Sequence, residues 1–423
     1  MMANREMKNS GVPWLKDIPS EWKVERGKNV LVLQKRPVRD DDEVVTCFRD
    51  GEVILRSLRR TEGFTMSDKE IGYQGINEGD IVIHGMDGFA GAMGVSKSTG
   101  KGSPVLVVCS PKYDAIPQYI IYYLRALAMT DVFIALATGI RERSCDLRWN
   151  KISELEFILP SAKEQQKIAS FLDRKCSEID EIIALQEKIV EELKAYKQSV
   201  ITEVVTKGLD PNVPMKDSGI EWIGDIPEHW ETTKFKALFQ IKKSIAGALG
   251  YDVLSVTQQG LRVKDLSKNE GQVAQDYSKY QLVDIDDFVM NHMDLLTGYI
   301  DCAKVSGVTS PDYRTFVNRN DSIAYNPYYL RVFQKCYKDK TFYHLGQGVS
   351  FLGRWRLPKE QLNAFVLPLP SLNEQKVIAA YLDTKCTEID NLISIKLSKI
   401  DSLKEYKKSI IYEYVTGKKE VTE

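Results

Sequence analysis

The chain has 423 residues, of which 43% are hydrophobic, so it is long enough for two or three domains with apolar cores. Its 58 Lys and Arg residues nearly balance 59 Asp and Glu residues, so bulk charge does not predict a nucleic-acid partner, although it excludes none. No apolar run reaches the roughly 18 residues of a membrane span, and the N-terminus lacks the apolar region of a secretory signal. The seven cysteines are scattered without CxxC spacing, and we expect reduced thiols in a cytoplasmic protein with no membrane partner.

A short tryptophan-containing phrase near the N-terminus occurs twice in the chain. Residues 11–22 read GVPWLKDIPSEW and residues 219–230 read GIEWIGDIPEHW, which share the pattern W-x-x-DIP-x-x-W at a shift of 208 residues. We call these two stretches the DIP segments. Two tryptophans around a proline are typical of a rigid turn that closes the edge of a core, and we expect that structural role here.

Residues 26–157 form a first globular region, which we call the first head. Short β-like runs alternate there with turn signals, and YIIYYLRAL at residues 119–127 predicts a buried helix. These patterns together indicate a mixed α+β domain. The predicted strands span residues 44–48, 53–55, 80–83 and 105–109.

Residues 161–207 contain no Gly or Pro and are dominated by Glu, Lys, Leu, Ile and Ala. Apolar residues recur there at alternating steps of three and four, which predicts one long helix with the seam of a coiled coil. Gly208 is typical of the residue just past a helix end. At a rise of about 1.5 Å per residue, such a helix is roughly 65 Å long.

The same helix returns near the C-terminus, at residues 373–416. At a shift of 210 residues, LDRKCSEID beginning at Leu172 matches LDTKCTEID beginning at Leu382 without a gap. This match indicates an internal duplication, and the two amphipathic helices are expected to bury their stripes against each other. The predicted seam consists of Ile168, Leu172, Ile179, Ile183, Val190, Leu193, Val200, Ile378, Leu382, Ile389, Ile393, Ile400, Leu403 and Ile410.

Residues 231–366 form a second head that repeats the first in outline. DIVIHGMD at residues 80–87 lies opposite DFVMNHMD at residues 287–294, but most other residues of the heads differ. The DIP segments and the long helices are similar in the two halves, whereas the heads differ. This pattern predicts one task performed twice, on two different targets. The predicted boundaries are 1–157 and 210–366 for the two head domains, and 158–209 and 367–423 for the two helices.

Each half of the chain has the same order of parts: a DIP segment, a variable head, a Leu-Pro phrase, then Glu-Gln, and a helix that contains LD-x-K. This doubled order resembles the DNA specificity subunit of type I restriction-modification enzymes. The resemblance covers nearly the whole chain and is most specific at residues 160–180 and 370–390. It implies an α+β fold in which two similar α/β target-recognition domains are separated by two long α-helices. These helices would pack as an antiparallel coiled coil, with a pseudo-two-fold internal repeat.

The resemblance also implies a non-catalytic subunit that recognises double-stranded DNA. Each head would read one half of a bipartite, asymmetric site, and the helices would set the gap, since roughly 65 Å spans about 19 base pairs. The helices would dock two methyltransferase subunits and, through that complex, motor-nuclease subunits. We expect no cofactor in this chain, because S-adenosylmethionine, ATP and Mg would belong to the partner subunits.

Basic and amide side chains of the heads are the candidates for DNA contact, although each taken singly is more often a solvated surface group. Arginine can read guanine with two hydrogen bonds, lysine mainly neutralises phosphate, and glutamine suits adenine. The candidates of the first head are Lys35, Arg36, Arg56, Arg59, Arg60, His84, Lys97, Lys101, Arg141 and Arg143. The candidates of the second head are Lys242, Lys243, Gln258, Gln259, Arg262, Lys264, His292, Arg314, Arg354 and Arg356.

Two other functions stay open on sequence alone. Residues 326–329 read NPYY, which is similar to the NPPY motif of N6-adenine methyltransferases but lacks its second proline. A turn leading into a strand at residues 329–333 is the plainer interpretation. The histidines and cysteines have no zinc-ligand spacing. The other alternative is a coiled-coil scaffold without specific DNA binding, whose weak DNA contacts would depend steeply on salt.

Overall fold

The computed structural model describes residues 5–59, 71–135, 147–265, 276–348 and 355–422. The chain divides into two compact units. The first unit consists of Met1–Glu187 together with Leu397–Glu423, and the second unit consists of Lys188–Lys396. Both long helices cross this division, so each unit contains one half of each helix.

The strands of the first unit are short, and several contain only three residues. They are β1 (Met7–Val12), β2 (Leu15–Pro19), β3 (Lys23–Arg26), β4 (Leu31–Leu33), β5 (Val45–Cys47), β6 (Val53–Leu55), β7 (Gln74–Ile76), β8 (Ile81–His84), β9 (Met93–Val95), β10 (Gly100–Gly102), β11 (Leu106–Pro111) and β12 (Glu156–Leu159). The four strands predicted for this head lie within one or two residues of β5, β6, β8 and β11.

The helices of the first unit are α1 (Gly27–Val30), α2 (Pro117–Met129), α3 (Val132–Ala135), α4 (Trp149–Glu154) and α5 (Ala162–Lys207). Helix α2 begins at a proline, which is favoured in the first turn, and most of its side chains are buried. The predicted buried helix at residues 119–127 is therefore confirmed. Helix α5 is a single helix of 46 residues whose bounds agree with the predicted ones to one residue.

Two sheets build the first head. Four strands pair antiparallel in the order β4-β11-β8-β9. The antiparallel pairs β5–β6 and β7–β10 are linked by a parallel bridge between Val44 and Lys101. The hairpin β1–β2 contains the DIP segment, and β12 pairs with β3 directly before α5.

The second unit has the same kinds of elements. Its strands are β13 (Met215–Asp217), β14 (Asp225–Pro227), β15 (Glu231–Lys234), β16 (Phe239–Lys242), β17 (Val253–Thr257), β18 (Gly260–Val263), β19 (Gln281–Val283), β20 (Phe288–Met290), β21 (Ile300–Cys302), β22 (Gly307–Thr309), β23 (Arg314–Asn318) and β24 (Val366–Leu369). Its helices are α6 (Phe235–Leu238), α7 (Asn326–Lys338), α8 (Thr341–His344), α9 (Lys359–Ala364) and α10 (Leu372–Val415).

The topology of the second head repeats that of the first strand by strand. The order β16-β23-β20-β21 corresponds to β4-β11-β8-β9. The order β18-β17-β22-β19, with β17 and β22 parallel, corresponds to the second sheet of the first head. Helices α7, α8 and α9 follow in the places of α2, α3 and α4. The duplication therefore includes the heads, whose residues match only in outline.

The predicted strand at residues 329–333 is wrong, because these residues lie inside α7. Pro327 occupies the first turn of that helix, where the missing N–H of proline costs no hydrogen bond. The tyrosine and valine content favoured a strand. These residues form a helix instead, because α7 takes the place that α2 has in the first unit and buries its apolar face there.

Each unit has one main core that joins its DIP segment, its head helix and both long helices. In the first unit this core extends from Trp22 through α2 to Ile411 and Val415 of α10. In the second unit it extends from Trp230 through α7 to Val204 and Val205 of α5. The predicted seam residues are buried, except for Leu193, Ile393 and Leu403, which are half-buried.

The helical segments of the first unit run antiparallel. The ring centroids of Phe171 and Tyr414 lie 4.5 Å apart. Asp180 comes later in α5 than Phe171 but pairs with Lys407, which comes earlier in α10 than Tyr414, so the two segments run in opposite directions. The second unit contains the equivalent ion pair between Lys197 and Asp390, with Nζ and Oδ2 2.7 Å apart. We refer to the DIP segments and the long helices together as the frame.

A buried glutamine in the first turn of each long helix joins the helix to its head. Gln165 accepts a hydrogen bond from the backbone N–H of Ile116, and Gln375 accepts one from Tyr325, at 2.9 and 2.8 Å. Each glutamine also donates to the carbonyl of the proline five residues before it. These bonds satisfy buried polar atoms at the start of α2 and α7, and so fix the head helices on the frame.

A buried tyrosine in each head helix contacts the far end of a long helix. The hydroxyl of Tyr119 is shared between the carbonyls of Ile158, at 2.8 Å, and Val415, at 3.2 Å, and that of Tyr328 donates to the carbonyl of Val205. Carbonyls in the last turn of a helix have no partner within the helix, so each hydroxyl satisfies a group that would otherwise be unpaired.

Both helix ends pack against a DIP segment. Gly417, with φ at +72°, follows α10, and a Cβ there would lie 2.4 Å from Cδ of Pro19. Gly208 ends α5 in the same left-handed conformation, as the sequence predicts.

The last tryptophan of each DIP segment donates to a glutamate in the first turn of a long helix. Trp22 Nε1 lies 3.1 Å from Glu164, and Trp230 Nε1 lies 2.9 Å from Glu374. Burial opposes ionisation of Glu374, but hydrogen bonds from His229, Trp230 and Ser371 outweigh it and lower the pKa of this carboxyl to about 2.

We predict that Glu374→Gln destabilises the protein by about 1–2 kcal/mol at neutral pH, because charge-assisted hydrogen bonds to the carboxylate are lost. A carboxyl with a lowered folded pKa contributes stability above its unfolded value, near 4.5, and this contribution is lost as the pH falls toward 2. Thermal unfolding should therefore separate the variant from the wild type at pH 7 and much less at pH 3. Glu405→Gln, at an exposed i,i+3 pair, is the control and should change little. A pH-independent difference would contradict the assignment.

Candidate nucleic-acid interface

In each head, one basic residue that was predicted to contact DNA pairs with a buried aspartate. Arg36 forms two hydrogen bonds with Asp80, which is 4% exposed, and Lys242 Nζ lies 2.6 Å from Asp287, which is 3% exposed. Each aspartate also accepts a backbone N–H from the turn before its strand. The fold thus uses both cations to neutralise carboxylates at the start of β8 and β20, and their contact with DNA stays a prediction.

The lysines beside these residues have a different environment. Lys35 and Lys243 are exposed, and neither has an ion-pair partner in the part of the chain that the structure describes. Adjacent positions therefore differ in function, because one side chain of each pair neutralises a carboxylate of the fold and the other is available to an external anion.

Most other described cations of the first head are compensated. Arg59 pairs with Asp50 and Glu52, and Lys97 Nζ lies 2.9 Å from Glu52. Arg56 and Lys101 are half-buried and engaged in contacts with the protein, including a hydrogen bond from Arg56 to Thr46. Contact of any of these side chains with DNA would require exchange of an existing partner.

The two predicted histidines are not equivalent. Nδ1 of His84 accepts the backbone N–H of Asp87 at 3.0 Å and so closes the turn after β8. His292 occupies the place of Gly85, because the carbonyls of both accept a backbone N–H, from Leu147 in the first head and Leu357 in the second. Burial, followed by the charges of Arg314 and Arg356, lowers the pKa of His292 to about 4, and its Nδ1 is buried without a partner.

Two arginines of the second head lack a counter-charge. Arg314 is half-buried and donates Nη1 to the carbonyl of Leu357 at 2.9 Å, and Arg356 is exposed. Within the described ranges neither guanidinium forms an ion pair. Burial lowers the pKa of Arg314 and outweighs the opposing charges of Tyr337 and Glu360, which is the expected response of a desolvated cation.

A polar recess of about 300 Å³ is lined in part by Asn291 and Tyr313, which adjoin His292 and Arg314 in the chain, and by Asp294 and Asp312. Lys264 also lines it and is engaged with the protein, while Gln258 and Gln259 are exposed nearby in the chain, where Arg262 donates to Gln259. The sequence did not indicate Trp355, whose buried Nε1 has no hydrogen-bond partner among the residues that the structure describes. Only the three-dimensional environment distinguishes this indole from a core tryptophan.

The predicted contacts Arg60, Arg141, Arg143 and Arg354 lie outside the described residues. Among the residues that are described, no group of three or more His, Cys, Asp or Glu side chains could hold a metal ion. The same residues include no helix with both the length and the apolar character needed to cross a membrane.

The NPYY motif is part of the core. Tyr328 and Tyr329 are fully buried, and their hydroxyls donate to the carbonyls of Val205 and Pro368. A target adenine would have to displace these contacts, so the motif has a structural explanation as the first turn of α7.

We predict that Arg36→Met destabilises the protein by about 2–4 kcal/mol, because it leaves the buried carboxylate of Asp80 without a counter-charge. Lys35→Met, the neighbouring substitution, should change the free energy of unfolding by less than about 0.5 kcal/mol. Thermal or denaturant unfolding of the two variants measures the difference. Equal stability of both would contradict the structural role of Arg36.

Comparison with known proteins finds similarity to one family. Residues 227–405 match the type I restriction modification DNA specificity domain. Two relatives from Methanocaldococcus jannaschii are named as specificity subunits of type I restriction enzymes, MjaVIII and, provisionally, MjaX. The MjaX protein is 24% identical, over 95% of this chain and 94% of its own length. The MjaVIII protein is 26% identical, over 95% of this chain and 93% of its own length.

Solved structures share the fold. A chain from a structure of complex assembly and conformational transition of the type I R-M system aligns with a TM-score of 0.70 and 14% identity, covering 95% of this chain and 99% of its own. The HsdS subunit of Thermoanaerobacter tengcongensis aligns with a TM-score of 0.54 and 14% identity, covering 95% and 98%. The predicted fold class is therefore confirmed. Over nearly its whole length the chain is similar to specificity subunits of type I restriction-modification enzymes.

Proposed function

We propose that this chain directs a type I restriction-modification complex to a bipartite, asymmetric DNA site, with each head reading one half-site. The observation that carries this proposal is the contrast between frame and heads. The glutamine, tyrosine and tryptophan contacts of the frame are the same in both units, whereas the polar side chains that the two heads present differ.

The same register position illustrates this contrast. Val107 pairs with Ile83 in the first head, and Arg314 pairs with Met290 at the corresponding place in the second. The second head therefore presents a guanidinium where the first has a buried methyl group. Two different half-sites require two heads with the same topology but different side chains, because base identity is read through the pattern of donors, acceptors and methyl groups.

The helices have a length suited to a spacer. Helix α5 has 46 residues and α10 has 44, which corresponds to about 66–69 Å at about 1.5 Å per residue. That length equals about 20 base pairs of duplex. We propose that helix length sets the number of unread base pairs between the half-sites.

Exposed apolar residues on the long helices support docking of partner subunits. Ile182 and Leu185 of α5 are 40% and 59% exposed, and Leu392 and Ile395 of α10 are 47% and 63% exposed. These two pairs, which we call the docking pairs, match at the shift of 210 residues. Large exposed apolar side chains at equivalent places suit two copies of one partner.

We assign these partners as two methyltransferase subunits, through which motor-nuclease subunits join the complex. S-adenosylmethionine, ATP and Mg would bind to those subunits. Residues of this chain would supply DNA recognition and assembly only.

We predict that cells expressing this chain with its methyltransferase partner carry methylated adenine in a two-part motif with an internal gap. The motif should disappear in cells that lack only this chain, because no other component would choose the site. Methylome sequencing compares the two. An active methyltransferase that leaves no such motif would favour the scaffold function over recognition.

We predict that Ile182→Ser combined with Leu185→Ser removes one methyltransferase subunit from the complex, with affinity at that site weakened about ten-fold or more. The combination of Leu392→Ser with Ile395→Ser should remove the other, and all four together should remove both. Native mass measurement reports the stoichiometry. Lys188→Gln, at a 73% exposed side chain of α5, is the control. Two bound subunits in the fourfold variant would contradict docking at these pairs.

A further inference from the structure

The cationic centre of the second head has a composition that folding alone does not explain. It consists of Arg314, His292 and Arg356, to which we add Trp355 because it directly precedes Arg356 in the chain, and it lies where the ends of β20 and β23 meet residues 355–357. The guanidinium of Arg314 bonds the carbonyl of Leu357, whose N–H donates to the carbonyl of His292. These bonds bring the three segments together.

The centre is rich in donors and poor in acceptors. It contains two guanidiniums without an ion-pair partner among the described residues and a buried indole N–H without an acceptor. The imidazole stays neutral at physiological pH, since burial and then the two arginine charges lower the pKa of His292. Buried donors and charges are normally paired, so this arrangement requires an explanation.

The first head shows that the fold does not need a charge at this position. Val107 occupies the register place of Arg314, is 8% exposed, and packs in the core of the first unit. A desolvated arginine that forms no ion pair is less favourable for folding than a packed valine. An anion from outside the protein would compensate the charge that Arg314 brings.

We infer that Arg314, Arg356, His292 and Trp355 bind a phosphodiester of the DNA backbone when the second head engages its half-site. This inference rests on the proposed function, which brings a polyanion to the head. Phosphate oxygens accept hydrogen bonds from several directions and match a cluster of donors. Because Arg314 is half-buried and tethered through Nη1, it is poorly placed to extend into a groove, whereas a phosphate on the DNA surface can approach it.

The test uses the full chain in complex with its methyltransferase partner and measures the Kd for duplexes with and without the methylated motif, between about 50 and 200 mM salt. Arg314→Val copies the residue of the first head. It should weaken binding about ten-fold on both duplexes and reduce the salt slope by about one. It should also leave the melting temperature unchanged or raise it. If the arginine had only a structural role, its substitution would lower the melting temperature.

Two further variants make the test decisive. Arg356→Gln changes an exposed side chain, so it cannot act through misfolding, and it should reduce affinity and slope in the same direction. Arg319→Gln is the matched control. Arg319 directly follows β23 at its opposite end and likewise donates to a backbone carbonyl, that of Phe239, so its substitution should leave binding unchanged.

Two results would overturn the inference. One is an unchanged salt dependence of the Kd in both Arg314→Val and Arg356→Gln. The other is a methylation motif that loses its preference at a single base while the salt dependence stays the same, which would indicate that the arginine reads a base. The proposed function fails separately. If the wild-type complex shows no preference for the motif while Arg314→Val still lowers the slope, the phosphate site stands and sequence recognition does not.

Discussion

The apolar stripe of the long helices is the constraint on which the rest of the structure depends. A helix of 46 residues with one apolar face is unstable in water unless that face is covered. Here each helix buries its first half in one core and its second half in the other, so each core requires parts of both helices. The first unit consequently combines the two ends of the chain, and its core forms only when residues separated by almost the whole sequence meet.

This constraint separates the residues that must be kept from those that are free to change. Gln165 and Gln375 satisfy buried backbone groups, and Tyr119 and Tyr328 satisfy helix-end carbonyls, so a substitution at any of them leaves a buried group unpaired. Some residues of the heads carry a similar obligation, as Arg36 does beside Asp80, but other positions at the strand ends do not. They can change from valine to arginine at one register position while the topology stays the same, which is the freedom that a change of DNA target requires.

The frame could be predicted from the sequence because periodicity and repetition encode it directly. The bounds of α5 and α10 were predicted to within one residue, and the DIP segments, predicted to close the edge of a core, contribute fully buried tryptophans to the main cores. Residues 329–333 were assigned to a strand because tyrosine and valine suit strands, yet packing against the sheet selected a helix. Local propensity decided nothing there, because tertiary burial outweighed it.

The candidate interface was much less accessible to sequence reasoning. Arg36 and Lys35 are adjacent basic residues, and no pattern in the chain reveals that one neutralises Asp80 while the other is exposed. The same holds for Lys242 and Lys243. Conversely, Arg314 gained significance only when the sheet register showed that it occupies the position of Val107 in the first head. Whether a charge is compensated depends on residues distant in sequence, and therefore becomes visible only in the folded structure.

The central claim is that the frame is common to both halves and that the heads alone carry sequence recognition. The most direct measurement is the methylome of cells that express, with its methyltransferase partner, a chain in which a second copy of residues 235–365 replaces residues 27–155. This exchange joins the chain at equivalent backbone hydrogen bonds, from Gly27 to Leu155 and from Phe235 to Phe365. The account predicts a methylated motif with two identical half-sites, both those of the second head. A motif that keeps its two original, different halves would contradict it.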